Sequence, residues 1–309
     1  MIKIFLNFFL LSTPVFFSCG NNKSSHENNP VVINLPEHSS IDSSSKNRIS
    51  DFNYDLKKPS QSWRLPSELV EVSGNTWVDK DHLILIEDTR PDLYLIKLDG
   101  KKATLEKKIP FQNDTKKKFD IEDVTLVDNV VYALWSHGVL FKISNWQSKP
   151  DVLPIATSLS KENNTEGLCY DPVTKKLLIA CKDASGLEGE KKSARAVYLF
   201  DMASQKLEAD PFLKIEEKDF KALVGDKIKM NPSGIAVHPK THDVYILSTR
   251  DTKCMAVFDR DGRLKSFQFI DEEMMPQPEG ICFSPEGILY ISSEGKKGEP
   301  GNLFQFDIK

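Results

Sequence analysis

Acidic residues recur within one short motif along the chain, at a spacing that could gather them around a single site. The four that lie in the motif itself are Glu122, Asp123, Glu166 and Glu279. Carboxylate oxygens without clustered histidine or cysteine are ligands that suit calcium better than zinc or copper. If these carboxylates converge, the repulsion between their negative charges must be relieved by protonation, by a basic partner or by a cation. The motif is therefore compatible with a calcium site.

The motif occurs five times, which indicates a repeat protein. Its copies occupy residues 72–77, 121–126, 165–170, 232–237 and 278–283. Each copy is followed by a polar turn and by further short apolar runs that are rich in β-branched and aromatic residues, as strands are. Measured at the Gly or Asp of the motif, the intervals are 49, 44, 67 and 46 residues. Four-stranded propeller blades have about this length.

These repeats predict an all-β protein, a β-propeller of five four-stranded blades. The long interval is explained by a polar, partly helical insertion near 205–230, which could also conceal a sixth blade. The last unit has no room for a fourth strand before Lys309. We expect residues 62–65 to supply that strand and close the ring. His238 and His242 fall in a turn and are expected to face solvent.

The repeat geometry also selects one mouth of the central channel. In an antiparallel pair the start of one strand lies beside the end of the next, so the motif carboxylates neighbour the second-strand exits. The additional ligand-binding residues expected at this mouth are Asp88, His137, Lys182, Asp183, Arg250 and Glu294. The glutamates could instead hydrogen-bond the next blade and only staple the ring. Both roles stay open, and different glutamates could take them.

The N-terminus has the features of a bacterial lipoprotein signal. One positive charge precedes an apolar run that is too short to span a bilayer, and Ser18 and Cys19 follow it. We expect a signal peptide over 1–18, a lipidated Cys19, a flexible tether over 19–60 and the propeller over 61–309. The alternative is an ordinary signal peptide with an incidental cysteine. Lipidation would place the protein in the cell envelope, facing the periplasm or on the cell surface.

Composition limits the classes of partner. The 309 residues are 39% hydrophobic and 28% charged, which supports a folded core. The net charge of −4 gives no basic surface, so no nucleic acid partner is expected. We expect a monomer that meets the membrane through its lipid and binds a small-molecule, glycan or protein ligand.

The ordered set of motifs resembles the SdiA-regulated, YjiK-like family of bacterial β-propellers. The residues that carry the resemblance are Ser73-Gly74 with Trp77, Ile121-Glu122-Asp123, Glu166-Gly167-Leu168, Pro232-Ser233-Gly234, Pro278-Glu279-Gly280 and Leu289 to Glu294. The resemblance covers about residues 65–309. It implies a secreted propeller with calcium at its channel, and it implies no settled activity.

Two functions are compatible with these residues. The first is a non-enzymatic, membrane-tethered recognition module with calcium at the acidic mouth. The second is a calcium-dependent hydrolase that acts on a phosphoester, lactone or ester, by analogy with phytase-like and gluconolactonase-like propellers. No catalytic base with a partner can be named from the sequence, and few cations reach the mouth to meet a phosphate. The first function is therefore favoured.

Overall fold

The structure is a computed structural model that describes residues 52–112, 118–189 and 193–309. These residues belong to one unit, Ser43–Lys309. The strands form five antiparallel sheets, and each sheet is one blade of a propeller.

The strands of each blade follow one another in chain order. Blade 1 contains β2 (Val72–Asp79), β3 (His82–Glu87), β4 (Arg90–Asp99) and β5 (Lys102–Pro110). Blade 2 contains β6 (Ile121–Val127), β7 (Val130–Trp135), β8 (Val139–Ser144) and β9 (Asp151–Ala156). Blade 3 contains β10 (Thr165–Asp171), β11 (Lys176–Cys181), β12 (Arg195–Asp201), β13 (Lys206–Leu207) and β14 (Leu213–Ile215). Blade 4 contains β15 (Pro232–Val237), β16 (Val244–Ser248), β17 (Cys254–Phe258) and β18 (Leu264–Phe269). Blade 5 contains β19 (Pro278–Phe283), β20 (Leu289–Ser293), β21 (Asn302–Phe306) and β1 (Gln61–Arg64).

The first strand of each repeat lies innermost, and these five strands form a closed ring. Each of them contacts the inner strands of the two neighbouring blades, and β19 returns to contact β2. The ring is closed by β1, which pairs with β21 so that Trp63 lies opposite Leu303. The predicted five blades and the predicted closing strand are both confirmed.

The insertion after blade 3 does not form a blade of its own. Both β13 and β14 pair with β12, so the outer strand of blade 3 is divided into two short pieces. The helix α1 (Glu217–Val224) follows, with a capping box at Glu216 and a left-handed Gly225 at its end. Phe220 is fully buried and packs on Phe267 of blade 4 at a ring separation of 5.7 Å.

The hydrophobic core is divided among the five interfaces between blades. Each cluster combines side chains of two adjacent blades. The middle strands consequently bury both faces; every residue of β16 is buried, for example. Apolar and polar residues do not alternate along such strands, because both faces of a blade are covered by its neighbours.

The predicted tether extends too far along the chain. Phe52, Tyr54 and Leu56 are buried at the interface between blades 4 and 5, so the propeller begins no later than Phe52. The Tyr54 hydroxyl donates to the Gly287 carbonyl at 2.6 Å and lies 3.0 Å from Nε2 of His238. His238 is therefore buried, and the expectation that it faces solvent is wrong.

The other N-terminal predictions concern residues outside those that the structure describes. They are the signal peptide over 1–18, the lipid on Cys19 and the tether up to residue 51. Within the described ranges, no helix is long and apolar enough to cross a membrane.

Candidate functional site

Each inner strand carries a β-bulge at the position that the sequence motif singled out. The pairing of this strand with its neighbour shifts register there in all five blades. The residues concerned are Ser73, Glu122, Glu166, Ser233 and Glu279. A bulge leaves a residue without a partner across the sheet and redirects its side chain. The motif is thus the sequence signature of a bulge.

The bulges of neighbouring blades pack against one another because glycine follows several of them. A Cβ on Gly234 would lie 2.1 Å from the Glu279 carbonyl oxygen, and one on Gly74 would lie 2.7 Å from the Asp123 Cα. No side chain can approach a backbone so closely, so these positions need glycine. The bulges form a continuous ring at one end of the channel, which we call the acidic mouth.

Three bulge residues bring their carboxylates together at the acidic mouth. One oxygen each from Glu122, Glu166 and Glu279 lies within 4.8 Å of the other two. The three residues are only 8%, 3% and 6% exposed. They come from blades 2, 3 and 5, so the cluster exists only in the closed ring. We call this group the glutamate cluster.

Lys182 is the basic partner of the glutamate cluster. Its Nζ donates to Oε2 of Glu166 at 2.6 Å, and the amide of Asn164 donates to Oε1 of the same residue at 2.8 Å. Both oxygens of Glu166 are therefore engaged. The Lys182 side chain follows β11 and is 14% exposed, so the ion pair is largely shielded from solvent.

The other two members of the cluster have no such partners. Among the residues that the structure describes, no hydrogen bond reaches the carboxylate of Glu122 or of Glu279. Buried polar groups in proteins are nearly always hydrogen-bonded. The carboxylates of Glu122 and Glu279 are not completely enclosed, because none of their oxygens is among the fully buried side-chain atoms that lack a partner. They converge on Glu166, and a bound proton or a bound cation would reduce the repulsion among the three.

Burial dominates the electrostatics of the cluster. It raises the pKa of Glu122 well above its ordinary value, and Glu166 adds to the effect. Burial likewise raises the pKa of Glu279, although Lys182 opposes this. The pKa of Glu166 is also raised by burial, because its ion pair with Lys182 offsets the desolvation only in part. Burial opposes the charge on Lys182, but Glu279 and Glu166 outweigh it and raise the pKa of the ammonium.

The serine bulges have a different role from the glutamate bulges. Ser73 Oγ donates to the Ile121 carbonyl at 2.6 Å, and Ser233 Oγ donates to the Pro278 carbonyl at 2.9 Å. Each serine thus staples its blade to the next one. The stapling role that the sequence left open for the glutamates belongs to the serines.

Asp123 does not join the glutamate cluster. One of its oxygens accepts the backbone N–H of Val124 at 2.8 Å, and the other accepts that of Leu168 in blade 3 at 2.7 Å. The residue is fully buried, and desolvation raises its pKa well above the ordinary value. Asp123 therefore staples blades 2 and 3 and is left out of the metal site proposed below.

A second acidic group lies at the blade 1 side of the mouth. Oxygens of Glu71, Glu87 and Asp88 lie within 4.8 Å of one another. Burial, followed by Glu71 and Glu87, raises the pKa of Asp88 to about 7. Burial, followed by Asp88, raises the pKa of Glu294 to about 7 as well. Asp88 and Glu294, which were both predicted from the sequence, thus lie close to other carboxylates that oppose their ionisation.

Two acidic residues of this region were not predicted from the sequence. Glu71 and Asp120 precede the inner strands of blades 1 and 2, outside the motif, and Asp120 accepts a hydrogen bond from Ser136 at 2.7 Å. Asp120 raises the pKa of both Glu122 and Asp88. Their position in the sequence could have revealed them, because each comes one residue before a copy of the motif.

The remaining predicted residues lie apart from the glutamate cluster. Arg250 pairs with Asp183 through an ion pair whose side chains are 44% and 39% exposed. His137 stacks on Trp135 with ring centroids 4.7 Å apart. Among the described residues, neither Arg250 nor His137 hydrogen-bonds a member of the cluster, although Glu166 helps to raise the pKa of Arg250 after the larger effect of Asp183.

The geometry of the cluster is compatible with a divalent cation. Calcium binds oxygens at about 2.3–2.6 Å, so two ligand oxygens on opposite sides of one ion are about 5 Å apart. The oxygens of the cluster fall within that limit. Three ionised glutamates and one lysine carry a formal charge of −2, which one divalent cation would neutralise.

The sequence of the whole propeller identifies its family. The model of the SdiA-regulated family matches residues 50–306. The chain belongs to the SdiA-regulated family. No curated protein matches it significantly. The family match includes Phe52, Tyr54 and Leu56, in agreement with the burial of this segment in the propeller.

Several solved structures resemble this SdiA-regulated protein to different degrees. A Myxococcus xanthus glutaminyl cyclase has a TM-score of 0.56 at 14% identity, with 82% of this chain and 96% of that chain covered. A Xanthomonas campestris gluconolactonase has a TM-score of 0.47 at 13% identity, with 78% and 77% covered. A streptogramin B lyase has a TM-score of 0.46 at 10% identity, with 81% and 97% covered. At 14% identity the likeness to the glutaminyl cyclase concerns the fold alone.

Proposed function

We propose that the acidic mouth binds calcium through Glu122, Glu166 and Glu279, and that the protein is a recognition module rather than an enzyme. The observation that carries the proposal is the convergence of three largely buried carboxylates, with one oxygen each of Glu122, Glu166 and Glu279 within 4.8 Å of the others. In this account calcium replaces the protons that the raised pKa values would otherwise retain. The loaded mouth then presents a neutralised surface to a ligand.

The donor set favours calcium over softer metals. Each member of the cluster supplies carboxylate oxygen, whereas zinc and copper prefer imidazole or thiolate ligands. The four cysteines in the described ranges are buried and free, and none belongs to the cluster. Calcium also tolerates irregular coordination, which suits three glutamates from three different blades.

We further propose that Cys19 carries a lipid that holds the propeller at the bacterial cell envelope as a monomer. A lipid anchor would leave the mouth accessible to a small-molecule, glycan or protein ligand. The test is metabolic labelling with a fatty acid analogue, in which the native chain is expected to be labelled and Cys19→Ser is not. A labelled Cys19→Ser variant would contradict the anchor.

Calcium-dependent hydrolysis is the second candidate, and one observation favours it. Asp88 and Glu294 have pKa values of about 7 beside the mouth, which suits proton transfer at neutral pH. Turnover of p-nitrophenyl phosphate or a simple lactone that requires calcium and is lost in Glu294→Gln would establish this candidate. We expect no turnover.

Calcium binding itself is measured by isothermal titration of the chelated chain. We expect binding with a stoichiometry of one, and an affinity at least a hundredfold lower in Glu122→Gln and in Glu279→Gln. The matched control is Glu188→Gln, which removes an exposed carboxylate of a loop and is expected to bind like the native chain. Equal affinity in all four proteins would exclude the glutamate cluster as the site.

A further inference from the structure

The end of the channel opposite the acidic mouth contains a cavity of about 330 Å³. It lies where the five inner strands end, and we call it the distal cavity. Residues that follow the bulge residues by three and four positions line it, among them Thr125, Trp77, Tyr170 and Phe283. The volume corresponds to on the order of ten water molecules and lies within the range of small-molecule sites.

The distal cavity is uncharged, in contrast to the acidic mouth. None of its described lining residues is an Asp, Glu, Lys, Arg or His, although 28% of the chain is charged. A charged ligand would lose its hydration there without gaining an ionic partner. The lining therefore selects against ions and in favour of an uncharged molecule.

Aromatic residues from three blades surround this cavity at equivalent strand positions. Each inner strand has one small residue at the same position, namely Thr76, Thr125, Cys169, Ala236 and Cys282. Trp77, Tyr170 and Phe283 each follow one of them directly, and all three are partly exposed. Aromatic side chains offer large, rigid contact areas to a ring that stacks on them. They belong to blades 1, 3 and 5, so the cavity offers aromatic contacts from three of the five blades to a compact molecule.

Three of the five small residues of the inner strands, Thr76, Cys169 and Cys282, accept a backbone N–H of a neighbouring blade, whereas Ala236 has no polar side-chain atom. Thr76 Oγ1 accepts the backbone N–H of Leu126 in the next blade at 3.2 Å. The Cys169 thiol accepts the backbone N–H of Val237 in the next blade. The equivalent Thr125 hydroxyl has no hydrogen-bond partner among the described residues, although Thr125 is only 6% exposed and lines the cavity.

From this arrangement we infer that the distal cavity binds an uncharged, hydroxyl-bearing ring of monosaccharide size. The Thr125 hydroxyl would exchange a hydrogen bond with the polar edge of the ring. One or more of the aromatic residues Trp77, Tyr170 and Phe283 would pack on its apolar face. A wholly apolar ligand would leave the Thr125 hydroxyl without a partner, which costs free energy. This site is separate from the glutamate cluster and does not depend on calcium.

The test is saturation-transfer NMR on the full chain with methyl glycosides of glucose, galactose, mannose and N-acetylglucosamine. We expect at least one of them to receive saturation, and glucuronate, which has the same ring with a carboxylate, to receive none. Tyr170→Ala should reduce the transfer at least threefold, and Thr125→Val should reduce it as well. Glu188→Gln, which removes an exposed loop carboxylate that does not line the cavity, is the control and should leave the transfer unchanged, with or without calcium.

Three results would overturn the inference. They are no transfer to any of the four glycosides, equal transfer to glucuronate, and transfer that is unchanged in both distal variants. Binding of phenol without binding of any glycoside would show an aromatic site instead, and would also overturn it. Tyr170 is only half-buried. Tyr170→Phe keeps the aromatic ring and should retain the transfer, which would show that Tyr170→Ala acts by removing the contact area of the ring.

Discussion

The ammonium of Lys182 lies 2.6 Å from Glu166 and leaves Glu122 and Glu279 without a hydrogen-bonded partner among the described residues. One cation is thus shared among three buried carboxylates. The first prediction concerns its removal in Lys182→Met. We expect the calcium-free protein to lose about 3 kcal/mol of stability, because the change leaves buried charge uncompensated.

Calcium should act more strongly on this variant than on the native chain. The formal charge of the cluster becomes −3, so calcium affinity is expected to rise about tenfold. Chemical denaturation and calcium titration measure the two effects. The control is Lys80→Met, whose side chain is 88% exposed and which should change neither quantity. A Lys182→Met variant with native affinity would contradict the shared-charge description.

The second prediction concerns the pH dependence of the chelated protein. Asp88 and Glu294, with pKa values of about 7, hold their protons in the folded state to a higher pH than in the unfolded state. Unfolding therefore releases protons between about pH 4 and 7, and stability falls as the pH rises through that window. We expect the melting temperature to be on the order of 5 °C lower at pH 8 than at pH 5.

The matched comparison is the double variant Asp88→Asn, Glu294→Gln, in which the pH dependence should be clearly weaker. Calcium should also reduce the decrease in the melting temperature of the native chain between pH 5 and pH 8, because it stabilises the ionised form of the glutamate cluster. If the chelated native protein became more stable from pH 5 to pH 8, the pH dependence would be opposite to the prediction. That result would contradict the raised pKa values of Asp88 and Glu294.

The third prediction concerns a buried ion pair between blades 3 and 4. Both oxygens of the fully buried Asp171 accept from Arg260, at 3.0 and 2.7 Å, and this pairing lowers the pKa of Asp171 although burial opposes it. Asp171→Asn should cost about 3 kcal/mol. The control is Asp261→Asn, in a pair whose side chains are both 73% exposed, which should cost less than about 1 kcal/mol. Equal losses in denaturant melts would contradict this ranking.

The fourth prediction concerns the N-terminal segment that the sequence placed in the tether. Tyr54→Phe removes a buried hydrogen bond to Gly287 and the partner of His238, which should cost about 1–3 kcal/mol. Tyr170→Phe, in which the hydroxyl has no partner among the described residues, should cost little. Denaturant melts of both variants make the comparison. A Tyr54→Phe variant as stable as the native chain would show that the hydrogen bonds of Tyr54 do not hold the N-terminal segment on the propeller.

The repeat pattern was sufficient to predict the fold and the glutamate cluster. Period and turn chemistry predicted five blades, and the common motif position brought Glu122, Glu166 and Glu279 to one mouth. The pattern could not predict Asp123 correctly, because the bulge turns Glu122 and its neighbour Asp123 to different surroundings. Two adjacent acidic residues look equivalent in a sequence. Only the backbone conformation shows that Glu122 faces the cluster whereas Asp123 hydrogen-bonds the neighbouring blade.

Contacts between distant segments were beyond the sequence pattern. Tyr54 lies in a polar stretch with no strand period, yet it is fully buried beside His238, which comes from a turn of blade 4. Turn composition predicts exposure only when no other segment covers the turn. Glu71 and Asp120 were missed for a similar reason, since they belong to the connections that approach the mouth and not to the repeated motif.

The most direct test of the account is anomalous diffraction from crystals of the full chain grown with calcium at neutral pH. We expect one anomalous peak at about 2.3–2.6 Å from carboxylate oxygens of Glu122, Glu166 and Glu279. The same map from Glu279→Gln crystals should lack it. Well-ordered glutamates with no peak between them in the native crystals would show that protons and Lys182 neutralise the cluster, and would contradict the calcium site.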